Sequence, residues 1–120
     1  MLSFVLDLFV KVVLQMTSTG KRLKKKKTSI KRNSTNPEWN EAIVFNLSHE
    51  QLCNVHLQIS LLNENNASLQ GSREVLGRVV FDRSHSVRGS DEQKHWDDAL
   101  ACRPAVARWH HLLPVTGESA

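Results

Sequence analysis

The chain has 120 residues, 40% hydrophobic and 23% charged, which is enough apolar material for one core and too much for a disordered polypeptide. Its formal charge of +4 is concentrated in one place: residues 20–32 hold eight of the sixteen Lys and Arg and no acid, while the rest carries eight basic groups against twelve acidic ones. That excludes a uniformly basic protein and leaves one patch that attracts anionic lipid headgroups, acidic protein surfaces or nucleic acid.

The N-terminal stretch from Met1 to Leu14 is apolar but short of the roughly 20 residues a spanning helix needs, and Asp7 and Lys11 interrupt it. It has neither the basic start nor the small-residue cleavage site of a signal peptide. Phe9, Val10, Val12 and Val13 make Leu8 to Gln15 a strand by β-branched and aromatic content. Thr17-Ser18-Thr19-Gly20 is a turn, and Arg22 to Lys31 returns as the second strand of a hairpin. On a strand, the adjacent Lys24, Lys25, Lys26 and Lys27 point two to each face, so one pair meets the packed side unless that side is shallow.

Asn33 to Pro37 is a loop, Glu41 to Leu47 a third strand, and Ser48 to Leu52 a short helical turn. His56 to Leu62 alternates cleanly, with Leu57, Ile59 and Leu61 on one face, as a half-buried strand does. Asn63 to Arg73 is a long polar loop of the kind that often carries function. Glu74 to Phe81 is a strand, and Ser90 to Ala101 a helix with Ser90 as N-cap and Asp91 and Glu92 in its first turn. Val106 to Leu112 is a final strand. About six strands and one helix before the last of them predict an all-β antiparallel sandwich. Cys53 and Cys102 do not make a disulfide framework; a reducing, cytosolic setting is expected, with a single bridge between them left open.

In chain order stand Asp7 to Val12 (D-x-F-V-K-V), Gly20 to Lys31 (G-K-R-L-K-K-K-K-T-S-I-K), Asn36 to Glu41 (N-P-x-W-N-E), Leu76-Gly77, His95-Trp96-Asp97-Asp98-Ala99-Leu100 and Trp109-His110-His111-Leu112. Together they resemble the second, C-terminal C2 domain of the synaptotagmins. The resemblance covers residues 7–114, with 1–6 as an apolar remnant and 115–120 as a flexible tail. It implies a C2-type β-sandwich whose first two strands, normally ahead of the Asp7 segment, are largely missing. It also implies that the lysine strand binds phosphoinositides and, in some members, SNARE complexes or the clathrin adaptor. The residues that carry this over are Lys21, Arg22, Lys24, Lys25, Lys26, Lys27, Lys31 and Arg32.

The resemblance further implies a calcium site at one tip of the sandwich, and here the chain departs from it. Asp7 matches a first-loop ligand, the second-loop aspartates fall on Asn63 and Asn65, and a later acidic position falls on Glu74. Asparagine offers a neutral carbonyl that does not offset the charge of Ca²⁺, so calcium binding is expected to be lost and no cofactor is expected.

A tryptophan in a final strand ordinarily fills core; the family's link between W-H-x-L and docking gives Trp109, His110 and Leu112 a second reading as a partner motif. No C-x-x-C or H-x-x-x-H spacing suggests zinc, and no nucleophile motif or phosphate-cradling glycine loop suggests an enzyme. The expected function is a calcium-independent phosphoinositide- and protein-binding module in vesicle trafficking or exocytosis. It would sit in the cytoplasm, peripheral on vesicle or plasma membrane. Two alternatives stay open: a poorly folded or regulatory short form of such a protein, and, with less support, a basic patch for nucleic acid, which is not an expected partner.

Overall fold

The computed structural model describes residues 6–52, 54–64, 74–82, 90–100 and 110–115. Five strands form one antiparallel sheet: β1 (Leu8–Met16), β2 (Arg22–Lys27), β3 (Val55–Asn63), β4 (Glu74–Phe81) and β5 (Leu113–Pro114), in the order β2-β1-β3-β4-β5. A one-turn helix, α1 (His49–Leu52), precedes β3, and α2 (Asp91–Leu100) follows β4. The fold is all-β, as the alternating segments predict.

The hairpin turns where expected. Gly20 has φ of +72°, a left-handed conformation that costs glycine little, and its N–H donates to the Met16 carbonyl at 2.7 Å. Regular β2 pairing stops at Lys27, although Thr28 N–H still donates to the Val10 carbonyl. There the Thr28 hydroxyl accepts from Val10 N–H at 2.9 Å, and the pairing resumes only as a single bridge between Leu8 and Lys31. At α2, Ser90 caps as predicted, its Oγ accepting the Gln93 N–H at 3.2 Å.

Register decides which side chains share a face. β1 and β3 pair without a break from Leu8↔Asn63 to Met16↔Val55. One face of the sheet carries Val10, Val12 and Leu14 beside Leu57, Ile59 and Leu61; the other carries Phe9, Lys11 and Val13 beside Gln58, Ser60 and Leu62. The first face holds the larger core cluster, Leu14, Val55, Val79, Phe81 and Trp96, so α2 lies against it through Trp96. Phe81 is the hub, meeting His95 and His110 edge-on at 5.6 and 4.8 Å and Trp96 at 6.4 Å. A smaller cluster of Phe9, Leu62 and Val75 closes one end of the opposite face.

Two predicted strands come out differently. Glu41 to Leu47 is not a strand: Ile43, Phe45 and Leu47 turn inward and the residues between them outward, but among the described residues no backbone pairs with the segment. Alternation set its shape, while strand status needs a partner. Of the expected last strand, residues 106–109 lie outside the described residues, His110 to Leu112 are irregular, and pairing to β4 begins one residue later at Leu113. Phe4, Cys53, Cys102, Asn65 and Trp109 also lie outside the described residues.

The docking of β5 on β4 depends on Gly77. A Cβ built there would sit 2.9 Å from Leu112 Cβ and 3.5 Å from the Leu113 carbonyl oxygen. Gly77→Ala should therefore push the C-terminal segment off β4 and cost about 1–3 kcal/mol, read as a lower midpoint in urea denaturation.

Candidate functional site

The lysine tract is split by the pleat, as its placement on a strand requires. Lys26 stands opposite Val12 and Lys24 opposite Leu14, which puts both on the face that holds the main core. They do not enter that core but cross to the unpaired 41–47 segment. Lys24 Nζ donates to the Asn46 carbonyl at 2.9 Å, and Lys26 Nζ to the Val44 carbonyl. Lys26 also lies 5.3 Å from the centroid of the Phe45 ring. These two lysines brace a stretch of chain that has no strand neighbour among the described residues.

Lys25 and Lys27 stand on the opposite face, across from Val13 and Lys11. Following the register through the sheet gives one row, Lys27–Lys11–Ser60–Arg78, spanning β2, β1, β3 and β4. Arg22 lies further along the same face, opposite Gln15. Arg78 Nε donates to Ser60 Oγ at 3.0 Å, which fixes the guanidinium at the end of the row. Lys27 reaches over Phe9, 5.7 Å from its ring centroid. Burial first, and then the charges of Arg22, Lys25, Arg78 and Lys27, push the Lys11 ammonium below its ordinary value of 10.5. Every charge acting on Lys11 in this way is a cation, so Lys11 marks the centre of a field that an anion would relieve.

Lys21 is exposed at the hairpin turn, its N–H bonded to Thr19 Oγ1 at 3.2 Å. Lys31 pairs with Leu8 beyond the end of β2. Arg32 Nη1 sits 3.1 Å from Asp7 Oδ2, so it serves the tip rather than the basic row. Of the eight cations singled out in sequence, the sheet gathers Arg22, Lys25 and Lys27 on one face. It adds Lys11 and Arg78, which lie outside the tract and could have been found only by pairing strands.

At the tip, the buried Asp7 takes Arg32 on one carboxylate oxygen, and its other oxygen accepts the Asn33 N–H at 2.9 Å. Asn33 has φ of +49°, a left-handed conformation asparagine tolerates. Asn63 is buried too, its Oδ1 accepting the Asp7 N–H at 3.1 Å. Glu74 is exposed at the start of β4, and Asn65 lies outside the described residues. No cluster of three or more His, Cys, Asp or Glu suited to a metal occurs among the described residues.

In the W-H-x-L motif, His110 stacks on His95 with Nε2 2.8 Å from His95 Nδ1, and its Nδ1 is 3.5 Å from Glu92. It ties the C-terminal segment to α2. Leu112 is 39% exposed above Gly77. No helix among the described residues is long and apolar enough to cross a membrane.

The described residues form a five-stranded antiparallel sheet, and the family model for the C2 domain matches residues 3–99. The chain belongs to the C2 domain family. Its relatives are of the synaptotagmin type: it is 40% identical over 113 residues to synaptotagmin-1 of Caenorhabditis elegans, covering 93% of this chain and 24% of that protein. It is 40% identical over 108 residues to synaptotagmin-9 of Rattus norvegicus, covering 89% and 20%, and 35% identical over 109 residues to synaptotagmin-B of Diplobatis ommata, covering 90% and 23%. The chain thus spans less than a quarter of the length of these relatives.

Lys11 sets stability against charge. Its lowered value means that the folded state disfavours the protonated form. The penalty is complete at neutral pH and fades as pH rises through that lowered value towards 10.5. Lys11→Met should accordingly raise the melting temperature at neutral pH, with the gain over the parent protein shrinking in alkaline buffer; differential scanning fluorimetry across that range reads both.

Proposed function

We propose that this chain is a calcium-independent membrane-binding C2 module of the second synaptotagmin type. It docks on phosphoinositide-bearing cytoplasmic leaflets through the sheet face of Lys25, Lys27, Lys11, Arg22 and Arg78. The supporting observation is the row Lys27–Lys11–Ser60–Arg78, in which cations from three strands are held together at a cost in Lys11 protonation. A polyvalent headgroup offers several phosphate oxygens to such a row, and Arg78 and the lysines answer with charge-assisted bonds. An acidic surface on a SNARE assembly or the clathrin adaptor would use the same face. The role is recognition in vesicle trafficking or exocytosis rather than catalysis, performed in the cytoplasm and peripheral to the membrane.

Calcium independence is supported by the chemistry of the tip. Ca²⁺ takes six to eight oxygens, several of them charged. Here Asp7 is already neutralised by Arg32 and bonded by Asn33, and Asn63 spends its carbonyl on the Asp7 backbone. The residues present do not fit the ion. Calorimetric titration with calcium should give no dissociation constant below about a millimolar.

The two faces separate in one experiment. Lysines near an anionic membrane contribute on the order of 1 kcal/mol each. Lys25→Met with Lys27→Met should therefore weaken binding to phosphatidylinositol-4,5-bisphosphate vesicles by about thirtyfold. Lys24→Met with Lys26→Met should leave vesicle binding within about threefold while lowering thermal stability. Vesicle cosedimentation with the first pair unchanged from the parent protein would refute this reading. Rising salt should weaken parent binding as the Debye length contracts; survival of that binding in excess competing RNA separates a lipid face from a nucleic-acid one.

A further inference from the structure

Lys11 differs from the cations around it in place and in partners. Lys24 and Lys26 give their ammonium groups to backbone carbonyls, and Arg78 gives Nε to Ser60. The Lys11 side chain makes no hydrogen bond or ion pair among the described residues. It stands directly opposite Lys27 on β2 and Ser60 on β3, with Arg78 one strand further on, and Lys25 and Arg22 lie along the same face. Like charges set directly opposite repel. Burial, and then the charges of Arg22, Lys25, Arg78 and Lys27, push its ammonium below 10.5, so a larger share of Lys11 is free amine at a given pH than of an ordinary lysine. A lysine partly desolvated and set beside other cations is an activated nucleophile. Lys11 is half-buried rather than enclosed, so a reagent can reach it.

The same cations define the electrophile it meets. An acyl donor that carries phosphates is drawn to this face and brings its carbonyl with it. A coenzyme A thioester is such a donor, with its thioester on an arm attached to a phosphate-bearing nucleotide. We propose that Lys11 is an acylation site, modified by coenzyme A thioesters that dock on the basic face. This rests on the reading of that face as one that takes phosphates.

In the transfer, the unprotonated Nζ attacks the thioester carbonyl carbon. The carbon–sulfur bond breaks, and coenzyme A leaves as the thiolate, which takes up the proton that the nitrogen gives up. The products are a neutral amide and the free thiol, and the step needs no oxidant, reductant or further co-reactant. Acylation removes the charge at the centre of the row. It relieves the repulsion within the folded sheet and at the same time takes one cation from the docking face. The modified chain is therefore more stable and less firmly attached to an anionic surface.

The test incubates the whole chain with acetyl-coenzyme A in mildly alkaline buffer and reads the initial acetylation rate at each lysine by peptide mass spectrometry. Lys11 should react about threefold or more faster than Lys25, which shares the docked donor, and than the exposed Lys21 and Lys94. S-acetyl-N-acetylcysteamine carries the same thioester without phosphates; with it Lys11 should still lead Lys21 and Lys94, by a smaller margin. Added salt should narrow the gap between the two donors. Lys11→Gln, standing in for the acylated residue, should weaken binding to phosphatidylinositol-4,5-bisphosphate vesicles by about fivefold; binding equal to the parent overturns the effect on docking. Lys11 reacting no faster than Lys25 with acetyl-coenzyme A, or leading by the same margin with both donors, overturns the proposal. If that occurs while Lys25→Met with Lys27→Met still weakens vesicle binding, the acylation site falls and the docking face stands. Vesicle binding unchanged by that pair refutes the docking face itself.

Discussion

The unbroken pairing of β1 with β3 is the constraint on which the rest depends. It runs the full nine residues of each strand, from Leu8↔Asn63 to Met16↔Val55, and it assigns every side chain near it to a face. A slip of one residue would exchange the two faces. Lys11 would then enter the core beside Leu57 and Ile59, and Val12 would join the lysines. Burying several valine, leucine and phenylalanine side chains at roughly 1.5–3 kcal/mol each holds the register, and the register in turn gathers the cations. The basic row is therefore a by-product of core packing as much as of the lysine tract itself.

This explains what could be read from the sequence and what could not. Alternation at Leu57, Ile59 and Leu61 and the β-branched run from Phe9 to Val13 foretell β3 and β1 within a residue or so. Ser90 with Asp91 and Glu92 foretells the start of α2. The two-and-two split of Lys24 to Lys27 follows from strand periodicity alone. Lys11 and Arg78 were invisible as site residues, because joining them to Lys27 takes two cross-strand registers that no local pattern specifies. The alternation of Ala42 to Leu47 reports an extended backbone correctly, but a strand is a relation between two segments, and periodicity in one of them cannot say whether the other is there.

Asp7 is a buried carboxylate beside the neutral Asn63, and a buried charge without a counter-ion is costly. Arg32 supplies the counter-charge and Asn33 N–H the second bond, so the tip closes on an ion pair between two parts of the chain. Asp7 itself is only 8% exposed, which strengthens its bonds relative to a surface pair even though the guanidinium remains largely in solvent. The neutral Asn63 fits the same logic: its carbonyl oxygen fastens the Asp7 backbone to the end of β3.

The division of labour among the lysines has an energetic basis. An extended segment that lacks a strand neighbour must satisfy its carbonyls by other means, and water is the usual one. Lys24 and Lys26 take that place for Asn46 and Val44, from strand positions opposite Leu14 and Val12. A lysine held this way has lost rotamer freedom and part of its capacity to follow a mobile headgroup. Lys25 and Lys27 sit one residue away in sequence and on the opposite side of the sheet, where Lys27 stands across from Lys11. Four lysines identical in composition therefore differ in what an anion gains from them: on one face the anion would compete with carbonyl acceptors, on the other it would relieve repulsion already present among cations.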